Sequence, residues 1–132
     1  MIRGLDTNVL VRYLTQDEPA QARRASAIIE GTLAKGGNCY LSVIVLCEIA
    51  WVLRGAYGLK KKSILLAVDQ ILETAGFLVE DRDLVREAVE QFRLGRGDFT
   101  DYLLGARNRA AGCSDTVTFD RSLRGSKLFA ML

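Results

Sequence analysis

Short apolar runs of strand length alternate along this chain with longer stretches of helical spacing, and glycines punctuate the joins. Ile2 to Leu5, Cys39 to Leu41, Phe77 to Val79 and Thr116 to Phe119 read as strands. Thr7 to Thr15 reads as a short helix capped by Asp6 or Thr7. Asp17-Glu18-Pro19 opens the next one, with Pro19 in the first turn, where its missing N–H costs little. Its apolar positions Ala22, Ala25, Ile28, Ile29 and Leu33 recur at helical spacing. Ser42 reads as the cap of a helix running to about Arg54, and Lys60-Lys61-Lys62-Ser63 leads into a fourth. Asp83 to Leu94 and Phe99 or Thr100 to Ala111 complete the set, with breaks at Gly36-Gly37, Gly55, Gly58, Gly76, Gly95, Gly97 and Gly112. Leu128 to the C-terminus is a candidate fifth strand. Strands that alternate with helices imply a parallel sheet covered by helices on both faces, an α/β architecture.

A chain of 132 residues predicts one domain with a single hydrophobic core. Its apolar fraction of 49% and charged fraction of 26% exclude a disordered polyelectrolyte. The net charge of +2 is too small to specify an anionic partner. Cys39, Cys47 and Cys113 form no CxxC pair and are expected to be reduced, buried small hydrophobes of a cytoplasmic protein. The longest apolar stretch, Tyr40 to Leu53, is interrupted by Glu48 and falls short of the roughly 18–20 residues that span a bilayer. No signal peptide is expected, because the N-terminus enters a strand pattern at once.

Four acids stand where strands end or helices begin: Asp6 in IRGLDTNVL, Glu48 in SVIVLCEIAWVL, Asp101 in GDFTDYLLGA and Asp120 in TVTFDRSL. Ligands of open parallel sheets bind at the carboxyl ends of the strands. Carboxylates gathered there would make an oxygen-only site for Mg²⁺ or Mn²⁺, which can polarise a phosphodiester and activate water. Each acid also has a structural reading. Asp6 and Asp120 are good turn and cap residues. Asp98 and Asp101 could form a capping arrangement favoured by the helix dipole. Glu48 lies in so apolar a segment that burial is expected, which would demand a metal or a salt bridge to Arg12 or Arg54. Arg12, Arg54, Arg93, Arg96, Arg121 and Arg124 are candidates for phosphate contact or for solvated helix faces.

The sequence contains no histidine. That excludes a Ser–His–Asp triad, a Cys–His pair and a histidine acid–base pair of the ribonuclease kind. It also removes the usual His-rich zinc sites. Neither GxxxxGK[ST] nor GxGxxG is present, so a nucleotide-binding loop is not supported.

The ordered set LDTNVLVRYL, an apolar strand–helix with a central Glu, GDFTDYLLGARNRAAGC and TVTFD resembles a PIN domain. More narrowly it resembles the VapC toxins of bacterial type II toxin–antitoxin pairs, essentially from end to end. The resemblance implies a three-layer α/β/α sandwich with a short-stranded central parallel sheet of four to five strands. It implies a Mg²⁺- or Mn²⁺-dependent endoribonuclease in which Asp6, Glu48, Asp101 and Asp120 match the four acidic positions. Asp6 and Asp101 would be the principal metal ligands, with Glu48 and Asp120 completing the cluster and positioning water. Asp98 matches an extra acid of members with the DFxD pattern, and Thr7, Asn8 and Thr118 match small polar positions around the site. The resemblance further implies a homodimer, a structured RNA substrate such as tRNA or rRNA, and a VapB-type antitoxin whose tail blocks the acidic pocket. The apolar positions from Ile64 to Leu72 are a candidate dimer face.

Two readings compete. A receiver-like Mg²⁺-binding module would use Glu80-Asp81 after the third strand, but Asp6 lacks an acidic neighbour and Lys127 precedes the last strand instead of following it. A PIN scaffold that only binds RNA or protein is the other. Asn8 in the second acidic position disfavours a phosphatase of the DxD type.

Overall fold

The computed structural model describes residues 1–132, which form two compact units, Met1–Glu80 and Asp81–Leu132. In the first, the order is β1 (Ile2–Gly4), α1 (Thr7–Thr15), α2 (Pro19–Ala34), β2 (Asn38–Leu41), α3 (Val43–Gly55), α4 (Lys61–Glu73) and β3 (Phe77–Val79). The strands form a parallel sheet in the order β1-β2-β3, with Gly4 opposite Tyr40 and Leu41 opposite Val79. Parallel neighbours need a crossover, and helices supply each one. In β2, Cys39 and Leu41 are fully buried while Tyr40 is exposed, the alternation of a pleated strand. Leu10, Ile29, Leu46, Ile49 and Ile71 are wholly buried and bring all four helices into the core.

The helix starts follow local chemistry. Glu18 accepts from the N–H groups of Ala20 and Gln21 at 3.3 and 2.9 Å and caps α2. Ser42 accepts from Val45 N–H at 3.3 Å at the head of α3. A second acceptor there comes from far away in sequence: Glu80, just after β3, takes the Val43 N–H at 2.8 Å. Asp17 accepts from the hydroxyls of Tyr57 and Thr15, each at 2.7 Å, tying the α1–α2 turn to the segment after α3. Gly76 has a φ of +89°, and a Cβ there would lie 2.4 Å from Leu33 Cδ2, so only glycine fits.

Three expectations are corrected here. First, α3 is not buried all round: Ile44 is 68% exposed, Trp51 59%, and Glu48 lies exposed between them on the same helical face. The uninterrupted apolar run hid this stripe, because hydrophobicity without polar contrast carries no face information. Second, Ile64, Leu65, Val68, Ile71 and Leu72 are buried in the core, so the α4 face offered for dimerisation is occupied. Third, only Cys39 is buried; Cys47 is intermediate and Cys113 exposed.

The second unit holds α5 (Arg82–Leu94), α6 (Phe99–Ala110), β4 (Thr116–Thr118), a 3-10 turn at Arg121–Leu123 and β5 (Phe129–Met131). The strands β4 and β5 pair in parallel, with Thr116 opposite Phe129. Val85, Ala88, Val89 and Phe92 form the buried stripe of α5, and Phe92 meets Phe99 edge-on with ring centroids 6.3 Å apart. Tyr102 is buried on α6, and its hydroxyl accepts from Gly97 N–H at 3.0 Å, which fixes the loop before α6. A Cβ on Gly97 would lie 2.3 Å from Leu123 Cδ2. The fold is thus α/β with six α-helices and five parallel strands, in one three-stranded and one two-stranded sheet.

Glu80→Ala removes the distant acceptor at the head of α3. It should destabilise the protein by about 1 kcal/mol, read as a lower denaturation midpoint at unchanged slope, with Glu80→Gln losing less because it keeps an acceptor oxygen.

Candidate acidic site

The β1–β2–β3 sheet has its carboxyl edge where Asp6, Ser42 and Glu80 follow their strands. Leu5 N–H still bonds Tyr40 C=O at 3.0 Å, and the chain then turns into α1. Asp6 is the N-cap residue of α1 by backbone conformation, yet its side chain makes no capping bond. It is exposed. The next residue, Thr7, is 6% exposed and donates its hydroxyl to Glu48 Oε1 at 3.0 Å. Sequence positions 41 apart are joined by this bond. It fixes Glu48 of α3 to the start of α1, beside Asp6. No arginine is needed to compensate Glu48, because the carboxylate is solvated. Arg12 instead donates to Tyr57 Oη at 2.9 Å and Gln21 Oε1 at 2.7 Å and pairs with Asp17 at 3.4 Å.

In the second unit, Asp98 and Asp101 form a capping box at the head of α6. The Asp98 N–H donates to Asp101 Oδ2 at 3.2 Å. The capping reading of GDFTD therefore holds, and it orients the Asp101 carboxylate. Asp120 follows β4 and caps the 3-10 turn, accepting from Ser122 N–H at 2.9 Å and Ser122 Oγ at 2.7 Å. Thr118 Oγ1 accepts from Asp120 N–H at 3.0 Å. The Ser122 hydroxyl, and then its N–H, hold the Asp120 carboxyl below the ordinary carboxylate range. The Tyr57 hydroxyl, followed by that of Thr15, does the same for Asp17.

No group of three or more Asp, Glu or Cys side chains lies together in a way that would hold a metal ion. The pair Asp6 and Glu48 fits a hard divalent cation in its donor chemistry. Both offer exposed carboxylate oxygens, and Mg²⁺ commonly uses only one or two carboxylates and fills the rest of its shell with water.

Ser122 and Glu80 were missed as supporting residues. A serine two positions after an aspartate is a readable turn signature. Glu80 had no such signal, since its partner Val43 is 37 positions away. The receiver-like reading loses its acids: Glu80 is spent on α3, and Asp81 pairs with Arg107 at 3.2 Å.

The PIN domain family model matches residues 5–125, and the chain belongs to the PIN domain family. Among characterised proteins it is similar to a VapC ribonuclease of Aquifex aeolicus (strain VF5), at 27% identity over 120 residues, covering 91% of this chain and 88% of that protein. No helix is long and apolar enough to cross a membrane.

Ser122→Ala removes the hydroxyl that lowers the Asp120 pKa, so that pKa should rise toward the unperturbed value of about 3.9. Because the folded-state value is depressed, this group stabilises the fold above the unfolded pKa, and that contribution vanishes as pH falls through the folded value. A side-chain carboxyl NMR titration of both proteins checks this; identical Asp120 curves would contradict it.

Proposed function

We propose that this protein is a metal-dependent endoribonuclease, the toxin of a VapBC-type pair. The observation that carries the reading is the Thr7–Glu48 hydrogen bond, which brings a second carboxylate to the strand end occupied by Asp6. The similarity to a protein named VapC ribonuclease supports the RNA-cleaving assignment. The proposed catalytic residues are Asp6, Glu48, Asp101 and Asp120, with Asp98 as a further acid. Asp6 and Glu48 would hold Mg²⁺ or Mn²⁺ within residues 1–80. Asp101, Asp98 and Asp120 are assigned by their match to the family motif.

The cation would supply positive charge against the phosphodiester and the charge that develops on it. The remaining work falls to the chain's own groups. Thr7 fixes the Glu48 rotamer by donating to one oxygen. Ser122 orients the Asp120 carboxylate by donating its hydroxyl and N–H to it. The capping box sets the direction of Asp101. Partners consistent with this reading are a structured RNA such as tRNA or rRNA, a VapB-type antitoxin and a second copy of the chain, in the cytoplasm.

Purified protein should cleave RNA with Mg²⁺ or Mn²⁺ and stop when EDTA is added. Asp6→Asn and Glu48→Gln should each lower the rate at least ~100-fold, with circular dichroism unchanged. Equal cleavage by wild type and both variants would sink the assignment. Thr7→Val keeps the volume but loses the hydroxyl, and should lower the rate while shifting stability by only about 1 kcal/mol. The binding-only PIN scaffold is separated by calorimetry, where it would show no Mg²⁺ or Mn²⁺ uptake at millimolar concentration.

A further inference from the structure

One face of α2 lines a basic groove that none of the acids enters. A cavity of about 500 Å³ is bounded by Asn8, Val9 and Arg12 from α1 and by Gln21, Arg24, Ala25 and Ile28 from α2. A second, of about 130 Å³, shares Ile28 with it and is lined further by Gly31, Thr32, Lys35, Met1 and Arg3. The α2 positions 21, 24, 25, 28, 31 and 32, with the C-cap Lys35, recur every three or four residues, so they form a single stripe. From Gln21 to Lys35 that stripe is about 21 Å long, at 1.5 Å per residue.

Four cations line the two cavities, Arg3, Arg12, Arg24 and Lys35, and no Asp or Glu does. Arg12 is engaged with Asp17, Tyr57 and Gln21. Arg3, Arg24 and Lys35 have no carboxylate partner within the protein. Arg24 and Lys35 stand about 16 Å apart along the helix. Between them, Ile28 is 42% exposed and Ala25 is buried, giving a small apolar floor. The groove begins at Asn8, two residues from Asp6.

We infer that this α2 groove binds a single-stranded segment of the RNA substrate and leads it from the Asp6 end of the unit toward Lys35. The inference rests on the ribonuclease reading for the identity of the polyanion. Cations spread along a groove match a chain with charge at every repeat, and the apolar floor at Val9, Ala25 and Ile28 accepts base faces. The guanidinium plane of Arg24 can serve both a phosphate and a stacked base. A compact anion would need its cations converging on one point. An acidic peptide helix shares the charge complementarity and is decided by the experiment.

The test uses the full chain carrying Asp6→Asn, so that RNA survives the measurement. Binding of a fluorescently labelled single-stranded RNA oligonucleotide is followed by anisotropy across a salt series. Adding Arg24→Gln with Lys35→Gln should weaken binding roughly tenfold and reduce the log–log salt slope by about 1.4, the value for two lost single-strand phosphate contacts. Ile28→Glu should weaken it in the same direction, with thermal melting confirming the fold. Lys60→Gln with Lys62→Gln, outside the groove, should change neither the affinity nor the slope beyond the general effect of net charge. Unchanged affinity and slope in the Arg24/Lys35 variant overturn the groove. So does an acidic helical peptide whose binding is lost in that variant while RNA affinity is kept. Cleavage by the parent protein is measured alongside. Groove-dependent binding without any cleavage removes the ribonuclease reading and leaves the groove. Cleavage with groove-independent binding does the reverse.

Discussion

Parallel pairing of β1, β2 and β3 is the constraint on which the first unit depends. Parallel strands cannot be joined by tight turns, so the chain must cross over through helices and return to the same starting edge. Every strand therefore ends on one side. Asp6, Ser42 and Glu80 arrive at that side for topological reasons before any chemistry is considered. One of these positions caps α3 from its own sequence, one caps it from the end of the neighbouring strand, and one keeps its side chain out of the capping scheme altogether.

Several acids of this protein are held by hydroxyls and backbone N–H groups. Thr7 holds Glu48, Ser122 holds Asp120, Asp98 N–H holds Asp101, and Tyr57 with Thr15 holds Asp17. Neutral donors stabilise a carboxylate without cancelling its charge. A guanidinium at the same place would compete with any incoming cation, whereas a hydroxyl fixes direction and leaves the negative charge available. Arginine reaches Asp17 as well, through Arg12, and pairs with two further acids, Arg107 with Asp81 and Arg109 with Glu87.

Elements with strong contrast between apolar and polar positions were legible in the sequence. The α1 helix, Thr7–Thr15, and the strand Phe77–Val79 match their expected bounds, and Ser42 caps α3 as its position before the apolar run suggested. The capping box at Asp98 and Asp101 was readable because its partners lie three residues apart. The α3 helix was misread. Its apolar residues occur on every side, so the sequence could not reveal that Ile44, Glu48 and Trp51 share an exposed stripe. The α4 helix failed in the opposite sense, since a clear apolar face shows what can be buried without saying against what.

By itself the sequence determined the alternation of strands and helices, the caps formed by near neighbours, and the exclusion of histidine chemistry. It also carried the ordered motifs that place the chain in the PIN domain family. These are properties of residues a few positions apart, or of composition. The tertiary structure alone decided that Thr7 meets Glu48 across 41 positions, that Glu80 caps α3 across 37, and that one face of α2 lines two cavities sharing Ile28, one with Arg12 and one with Arg3 and neither with an acid. Such contacts depend on which helix faces which strand end. Packing of the whole sheet sets that, and no local pattern encodes it.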